Sequence, residues 1–287
     1  FANCVNEWLK QEDCYQSELD LAARYAAWAT LTTTGRKQHH SGVLFQQPKK
    51  LDFQHLIPFH LIDDFKVGLP THQRLRIGFH LTDNGLSRLQ AIDQANYCIW
   101  CHHQAKDSCS KGMKPKADST EKFLKNWAGV NLTGCPLEEK ISEMNETKAK
   151  GFTLGALAIA TIDNPMIAAT GHRICNDCMK SCIYQKQEPV NIPGVETQIL
   201  TEVLQLPWGF EIYSLLTRWN PLNLKRPLPL TESGYKVLVV GMGPAGFTLA
   251  HHLLNDGHCV VGIDGLKIEP LPFCQSGVDV HGQRHPF

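Results

Sequence analysis

The sequence predicts an α+β chain: a helical, cysteine-rich body followed by the start of a parallel α/β unit. Three observations carry this. Seven of the eleven cysteines fall between Cys98 and Cys182 in a stretch of helical periodicity. A proline-rich break runs from Asn220 to Pro229. After it come a valine-rich strand, a glycine turn and an apolar helix, the order of a βαβ unit.

Residues 1–88 read as a helix-rich extension. Glu18–Thr30 is alanine-rich, with Leu21, Tyr25 and Trp28 spaced for a buried helical face. Arg74–Leu81 alternates like a strand, closed by the turn Asp83-Asn84-Gly85. Ser87–Tyr97 reads as a helix that delivers Cys98. Residues 110–134 read as an inserted loop. Pro136 suits the first turn of a helix running to Lys150, with Glu138 and Glu139 complementing its dipole. Phe152–Ile162 is apolar all round, as expected of a helix packed on more than one side. Glu196–Leu206 is a further helix. The helical body therefore spans 89–219, a linker spans 220–234, and the α/β unit spans 235–287.

Lysine plus arginine and aspartate plus glutamate both number 28, so the net charge is +0. That balance gives no support for a nucleic-acid or anionic-membrane partner, both of which favour a basic surface. Phe152–Ile162, the longest apolar run, is too short to span a bilayer. The first ten residues carry Asn3, Asn6, Glu7 and Lys10, unlike a secretory signal. A start at Phe1 rather than Met is expected of a fragment or a processed product.

Clustered cysteines in a large chain read as metal or cluster ligands in a reducing compartment, so a cytoplasmic location is expected. The spacing is Cys98-x2-Cys101-x7-Cys109, then Cys135-Pro136, then Cys175-x2-Cys178-x3-Cys182. A CxxC puts two thiolates on one short turn, where they can share a metal centre. Seven cysteines nearly fill two four-ligand sites, and the eighth ligand must be of another kind. Both zinc and iron–sulfur clusters accept such spacing. The Cys-Pro step favours iron–sulfur, since bacterial ferredoxin runs end that way and give their last cysteine to a different cluster. His102 and His103 are possible substitutes for Cys109.

In the last segment, Lys236–Val240 leads into Gly241-Met-Gly243-Pro244-Ala245-Gly246 and a helix to Leu254, and Asp264 closes the next strand. The first glycine makes the tight turn, the second lets backbone approach a pyrophosphate, and the third lets helix and strand pack closely. The helix N-terminus offers N–H groups to phosphates, and Asp264 stands where an acid binds a ribose hydroxyl. Periodicity does not separate FAD from NAD.

Together these motifs resemble the glutamate synthase small subunit and the N-terminal part of dihydropyrimidine dehydrogenase. The resemblance rests on Cys98-Ile-Trp-Cys101, Gly134-Cys135-Pro136, Asp163-Asn-Pro165, Gly171-His-Arg-Ile-Cys175-Asn-Asp-Cys178-Met-Lys-Ser-Cys182, Pro189-Val-Asn-Ile192 with Glu196, and the glycine turn. It covers about Leu89 to Pro272. It implies a helical, ferredoxin-like domain with two [4Fe-4S] clusters in crossed ligation, followed by a Rossmann-type FAD-binding domain. Cys98, Cys101, Cys109 and Cys182 would hold one cluster. Cys135, Cys175, Cys178 and Glu196 would hold the other. Gly241, Gly243, Pro244, Ala245, Gly246 and Asp264 would bind FAD.

The resemblance further implies a relay from NAD(P)H through FAD to the clusters and on to an electron-accepting subunit or domain. A zinc-stabilised module beside an NAD-binding unit is the competing reading, and a purely structural docking piece is another. The pattern departs from the family in its gaps of seven residues before Cys109 and twenty-five before Cys135. The family also carries a second glycine motif, for NADPH. This chain ends 41 residues after Gly246 without one, so truncation is expected.

Overall fold

A computed structural model describes residues 1–39, 50–70, 76–80, 83–115, 122–265 and 279–283. It divides into two compact units, Phe1–Lys225 and Arg226–Phe287. The division falls within the proline-rich segment. Helices dominate, with two small two-stranded sheets, an α+β composition.

In the first unit, α1 (Ala2–Leu9), α2 (Gln16–Leu31) and α3 (Thr33–Gln38) come first. The buried face of α2 is Leu19, Ala22, Ala26 and Ala29, whereas Leu21 and Tyr25 are exposed. This corrects the expected face. The small side chains let α1 approach closely, and Val5, Leu19 and Ala22 form a local core with Trp8 and Leu9.

A hairpin follows, β1 (Phe59–Ile62) against β2 (Phe65–Gly68). Its two-residue turn is Asp63-Asp64, both at positive φ, a conformation that aspartate tolerates better than most residues. The strand expected at Arg74–Leu81 is not formed where it is described: 76–80 are turn and irregular backbone, and the remainder lies outside the described residues.

The main core belongs to six helices. They are α4 (Arg88–Tyr97), α6 (Ile141–Ala149), α7 (Thr153–Asp163), α8 (Ile167–Ile174), α10 (Ile192–Leu204) and α11 (Gly209–Arg218). Short α5 (Ser108–Lys111) and α9 (Asp177–Lys180) carry cysteines between them. Helix α10 is central and packs on α4, α7, α8 and α11, burying Ile192, Val195, Ile199 and Val203. Helix α7 packs on α6, α10 and α11, which accounts for its apolar wrap. Asn220, within the expected linker, is buried and donates to the Ala158 carbonyl (2.7 Å) and Thr161 (3.1 Å).

The helix expected from Pro136 begins instead at Ile141. Pro136-Leu137 is an isolated turn, and Glu138 adopts φ +51°, which no helix continues through. Glu138 and Glu139 therefore do not sit in a first helical turn. Glu196 also lies deeper in its helix than expected, because α10 starts at Ile192 with Asn191 as N-cap and Pro193 in the first turn.

The second unit holds β3 (Lys236–Val240), α12 (Pro244–Asn255) and β4 (Cys259–Ile263). The strands pair in parallel, Lys236 opposite Cys259 and Val240 opposite Ile263. Among the described residues no helix is long and apolar enough to cross a membrane.

Candidate functional site

Three separate chain segments bring Cys98, Cys101, Cys109 and Cys182 to the wall of one small cavity. Cys98 is the C-cap of α4, whose start is fixed by a reciprocal Ser87–Gln90 capping box. The chain then turns through Trp100 in the left-handed region (φ +51°), which swings Cys101 back toward Cys98. Cys109 is buried on α5, its thiol donating to Asp107 Oδ1 (3.2 Å). Cys182 arrives from 73 residues later in the chain, just past α9. Ser142, Asn145, Tyr184, Val190 and Ile192 are among the other residues of the wall.

Cys135, Cys175 and Cys178 face a different set of neighbours. Cys178 senses Glu196, Cys135, Cys175 and Glu139. Cys178 and Cys182 are four residues apart yet belong to different groups. The two groups share backbone: the Cys135 amide donates to the Cys109 carbonyl (2.8 Å), and the Gly134 amide to Ser181 Oγ (2.9 Å). Gly134 sits at φ +78°, and a Cβ there would lie 2.4 Å from the Gly112 nitrogen and 2.6 Å from the Ser110 carbonyl oxygen. Only glycine lets these loops close on each other.

Burial governs the thiols. It pushes Cys98 to about 11, with Cys182 and Cys101 adding to the rise and Asn145 and the Trp100 backbone opposing it. Cys135 also rises to about 11, through burial and then the charge of Glu139. Cys109 and Cys178 are pushed much higher, first by burial and then by nearby Asp107 or Glu196. Burial together with neighbouring sulfurs and carboxylates disfavours a bare thiolate at Cys98, Cys109, Cys135 and Cys178. A metal centre would supply positive charge and displace the protons, which the thiols and Glu196 can accommodate chemically; among the described residues no three of these donors lie within 4.8 Å of one another, a wider spread than one tetrahedral zinc ion gathers.

Glu196 is 8% exposed, and its acid is pushed well up by burial and by the neighbouring Glu139. Glu139, 4% exposed, is raised chiefly by burial, although nearby Glu196 and Asn164 pull it back. Glu139 is the residue that sequence reasoning missed. Its place beside Cys135 follows from the broken helix at Glu138, which no local pattern announces.

Neither His102 nor His103 lines the sulfur cavity that Cys109 lines, and both rings turn to Glu146 Oε2 at 3.1 Å.

In the second unit Gly241 has φ +90°, and a Cβ on Gly246 would stand 1.8 Å from the Gly241 carbonyl oxygen. Both positions demand glycine. A Cβ on Gly243 meets nothing, so the space before the α12 N-terminus is open to a ligand's phosphates. Pro244 opens α12, followed by Ala245. Asp264 Oδ2 accepts from the Met242 N–H (2.5 Å), so the acid braces the glycine turn itself. Cys274 lies outside the described residues; Cys4, Cys14 and Cys259 are exposed.

No family model matches the chain. It is 66% identical over 108 residues to "Uncharacterized protein RP006" of Rickettsia prowazekii, covering 38% of this chain and 15% of that protein. It is 36% identical over 162 residues to "Uncharacterized protein RP005" of the same organism, 52% of each. It is 31% identical over 142 residues to the glutamate synthase [NADPH] small chain of Bacillus subtilis, 48% of this chain and 26% of that protein. The chain thus spans about half or less of the length of these relatives. The glutamate synthase matches support an oxidoreductase relationship at the general level.

Proposed function

We propose that this chain is an electron-transfer segment of an FAD- and iron–sulfur-dependent oxidoreductase, similar to the small chain of glutamate synthase. The observation that carries the proposal is the sorting of eight donors into two sets. Cys98, Cys101, Cys109 and Cys182 share one cavity, while Cys135, Cys175, Cys178 and Glu196 surround one another elsewhere in the same helical unit. Two [4Fe-4S] clusters would supply one-electron chemistry at these sets, and FAD at the glycine turn would supply two-electron chemistry.

The protein's part is binding, orientation and tuning. Packing by α4, α6 and α10 buries Cys109, Cys178 and Cys182, and the Asn145 amide, buried without a hydrogen-bond partner among the described residues, lines the cavity with Cys98. Glu196 offers oxygen where the other set has a fourth sulfur, so the two clusters would differ in potential. At the glycine turn, Gly241, Gly243 and Gly246 with Pro244 and Ala245 would face the pyrophosphate, and Asp264 holds the turn closed. The electron acceptor would be a partner subunit or domain, with NAD(P)H as donor to the complete protein.

Anaerobic purification tests this directly. A brown protein with iron and acid-labile sulfide in equal amounts, and yellow flavin released on denaturation, is expected. A colourless protein carrying only zinc on its cysteines would overturn the iron–sulfur reading.

A further inference from the structure

We propose that His102, His103 and Glu146 form a separate metal site that takes one divalent ion of the zinc class. The site goes beyond the electron-transfer reading and does not depend on it. Nε2 of His102 and Nε2 of His103 each stand 3.1 Å from Glu146 Oε2, and the three ligand atoms all lie within 4.8 Å of one another. Tetrahedral zinc, with bonds of about 2.0–2.1 Å, sets its ligands roughly 3.4 Å apart. Small side-chain rotations close the three groups on an ion. His103 is free to make them, since its side chain is 58% exposed.

The hydrogen bonds around the cluster allow His102 two tautomers, and an ion selects one of them. His102 Nδ1 lies 2.7 Å from Ser142 Oγ, a buried hydroxyl. Without an ion, Nε2–H can donate to Glu146 Oε2 while the Ser142 hydroxyl donates to Nδ1. An ion displaces the Nε2 proton, and Nδ1–H then donates to Ser142 Oγ. Histidine ligands ordinarily give their other ring N–H to a fixed acceptor, which orients the ring and sets its tautomer. Lys150 bonds the other carboxylate oxygen, Oε1, at 2.6 Å, and so holds Oε2 toward the histidines.

Two nitrogens and one carboxylate suit zinc and its neighbours rather than magnesium or calcium, which prefer oxygen. The exposed side of His103 leaves the fourth position to water. An ion here ties the Cys101–Gln104 turn to α6 across more than 40 residues of chain. It would brace Cys101 from outside the sulfur cavity.

The test uses the whole chain, reconstituted anaerobically with iron and sulfide and then dialysed against low-micromolar zinc, with iron and zinc counted in the same sample. The comparison is with His103→Ala and Glu146→Gln, neither of which touches the sulfur cavity. Wild type is expected to hold one more zinc per chain than either variant, with iron content and far-ultraviolet circular dichroism unchanged. Cobalt at the same site should show visible d–d bands without the thiolate charge-transfer absorption that sulfur ligands produce. Equal zinc in wild type and both variants, or cobalt bound only with thiolate absorption, overturns the proposal. A chain that lacks iron but still loses one zinc in the variants would sink the cluster reading and leave this site standing.

Discussion

Glu196 of α10 and Glu139, 57 residues earlier, meet carboxyl to carboxyl inside the helical unit, and both are buried. Two acids cannot both ionise cheaply in such a place, so one keeps a proton while the other bears the charge. Ligation by Glu196 would draw it into the ionised form and leave the proton on Glu139. Glu139→Gln keeps a neutral group there, so the potential of the nearby cluster should stay unchanged at neutral pH. As pH rises and Glu139 ionises, that cluster should become harder to reduce in wild type and not in Glu139→Gln. A unit charge at a few ångström is worth at least about 1 kcal/mol, or roughly 40 mV for one electron. The expected result in redox titrations followed by electron paramagnetic resonance at neutral and alkaline pH is a downward shift of at least that size in one wild-type cluster only. Equal shifts in both clusters, or the same shift in the variant, would contradict the assignment of Glu139 to the Cys135 set.

The two donor sets can be emptied one at a time. Cys182→Ser should remove about half the iron and one paramagnetic signal, and Cys178→Ser should remove the other half. The residues are four apart, so any general effect on folding would strike both samples alike. Iron and sulfide analysis with spectra of each reduced variant makes the check. Loss of the same signal in both variants would mean that the sulfurs serve one centre.

Lys148 is 1% exposed and depends on Glu202, which also bonds Thr153 (2.9 Å) and Arg88 (2.7 Å). Glu202→Gln leaves a buried ammonium without its counter-charge and should cost about 3–5 kcal/mol. Replacing both partners, Lys148→Met with Glu202→Leu, should recover most of that loss. Urea unfolding of the three variants provides the comparison.

The same pair sets an acid limit on stability. Burial raises the Glu202 acid, but Lys148, Thr153 and Arg88 outweigh it, and the net shift is downward. A carboxylate with a depressed folded pKa stabilises the fold above its unfolded value, about 4.3, and that share is lost as pH falls through the folded value. The melting temperature should therefore drop between about pH 5 and 3, and more shallowly in Glu202→Gln. An equally steep acid flank in both proteins would assign the loss to other groups.

Two glycines of the phosphate turn can be told apart. Gly246→Ala puts a methyl 1.8 Å from a backbone oxygen and should destabilise the second unit by about 1–3 kcal/mol. Gly243→Ala meets no protein atom, so the unit should fold as before. Its methyl would occupy the space offered to a pyrophosphate, and bound flavin should fall sharply. Flavin content beside circular dichroism reads both effects. Normal flavin retention in Gly243→Ala would argue against pyrophosphate binding at this turn.

What could be read from the sequence was local. The Ser87–Gln90 cap, the two CxxC turns and the apolar wrap of α7 lie within a dozen or so residues each, and the β3–glycine turn–α12–β4 succession within 28, and short-range backbone and periodicity rules govern them. Tertiary structure alone decided the rest. It buried the alanine face of α2 in place of Leu21 and Tyr25, since close helix contact rewards small side chains there. It stopped the helix at Pro136 by turning Glu138 into the left-handed region, which set Glu139 against Cys135 and Glu196. It turned His102 and His103 away from the sulfurs and onto Glu146. The contacts of Glu139 with Glu196 and of the two histidines with Glu146 join residues more than 40 apart in the chain, and all these outcomes are fixed by what else competes for the same space.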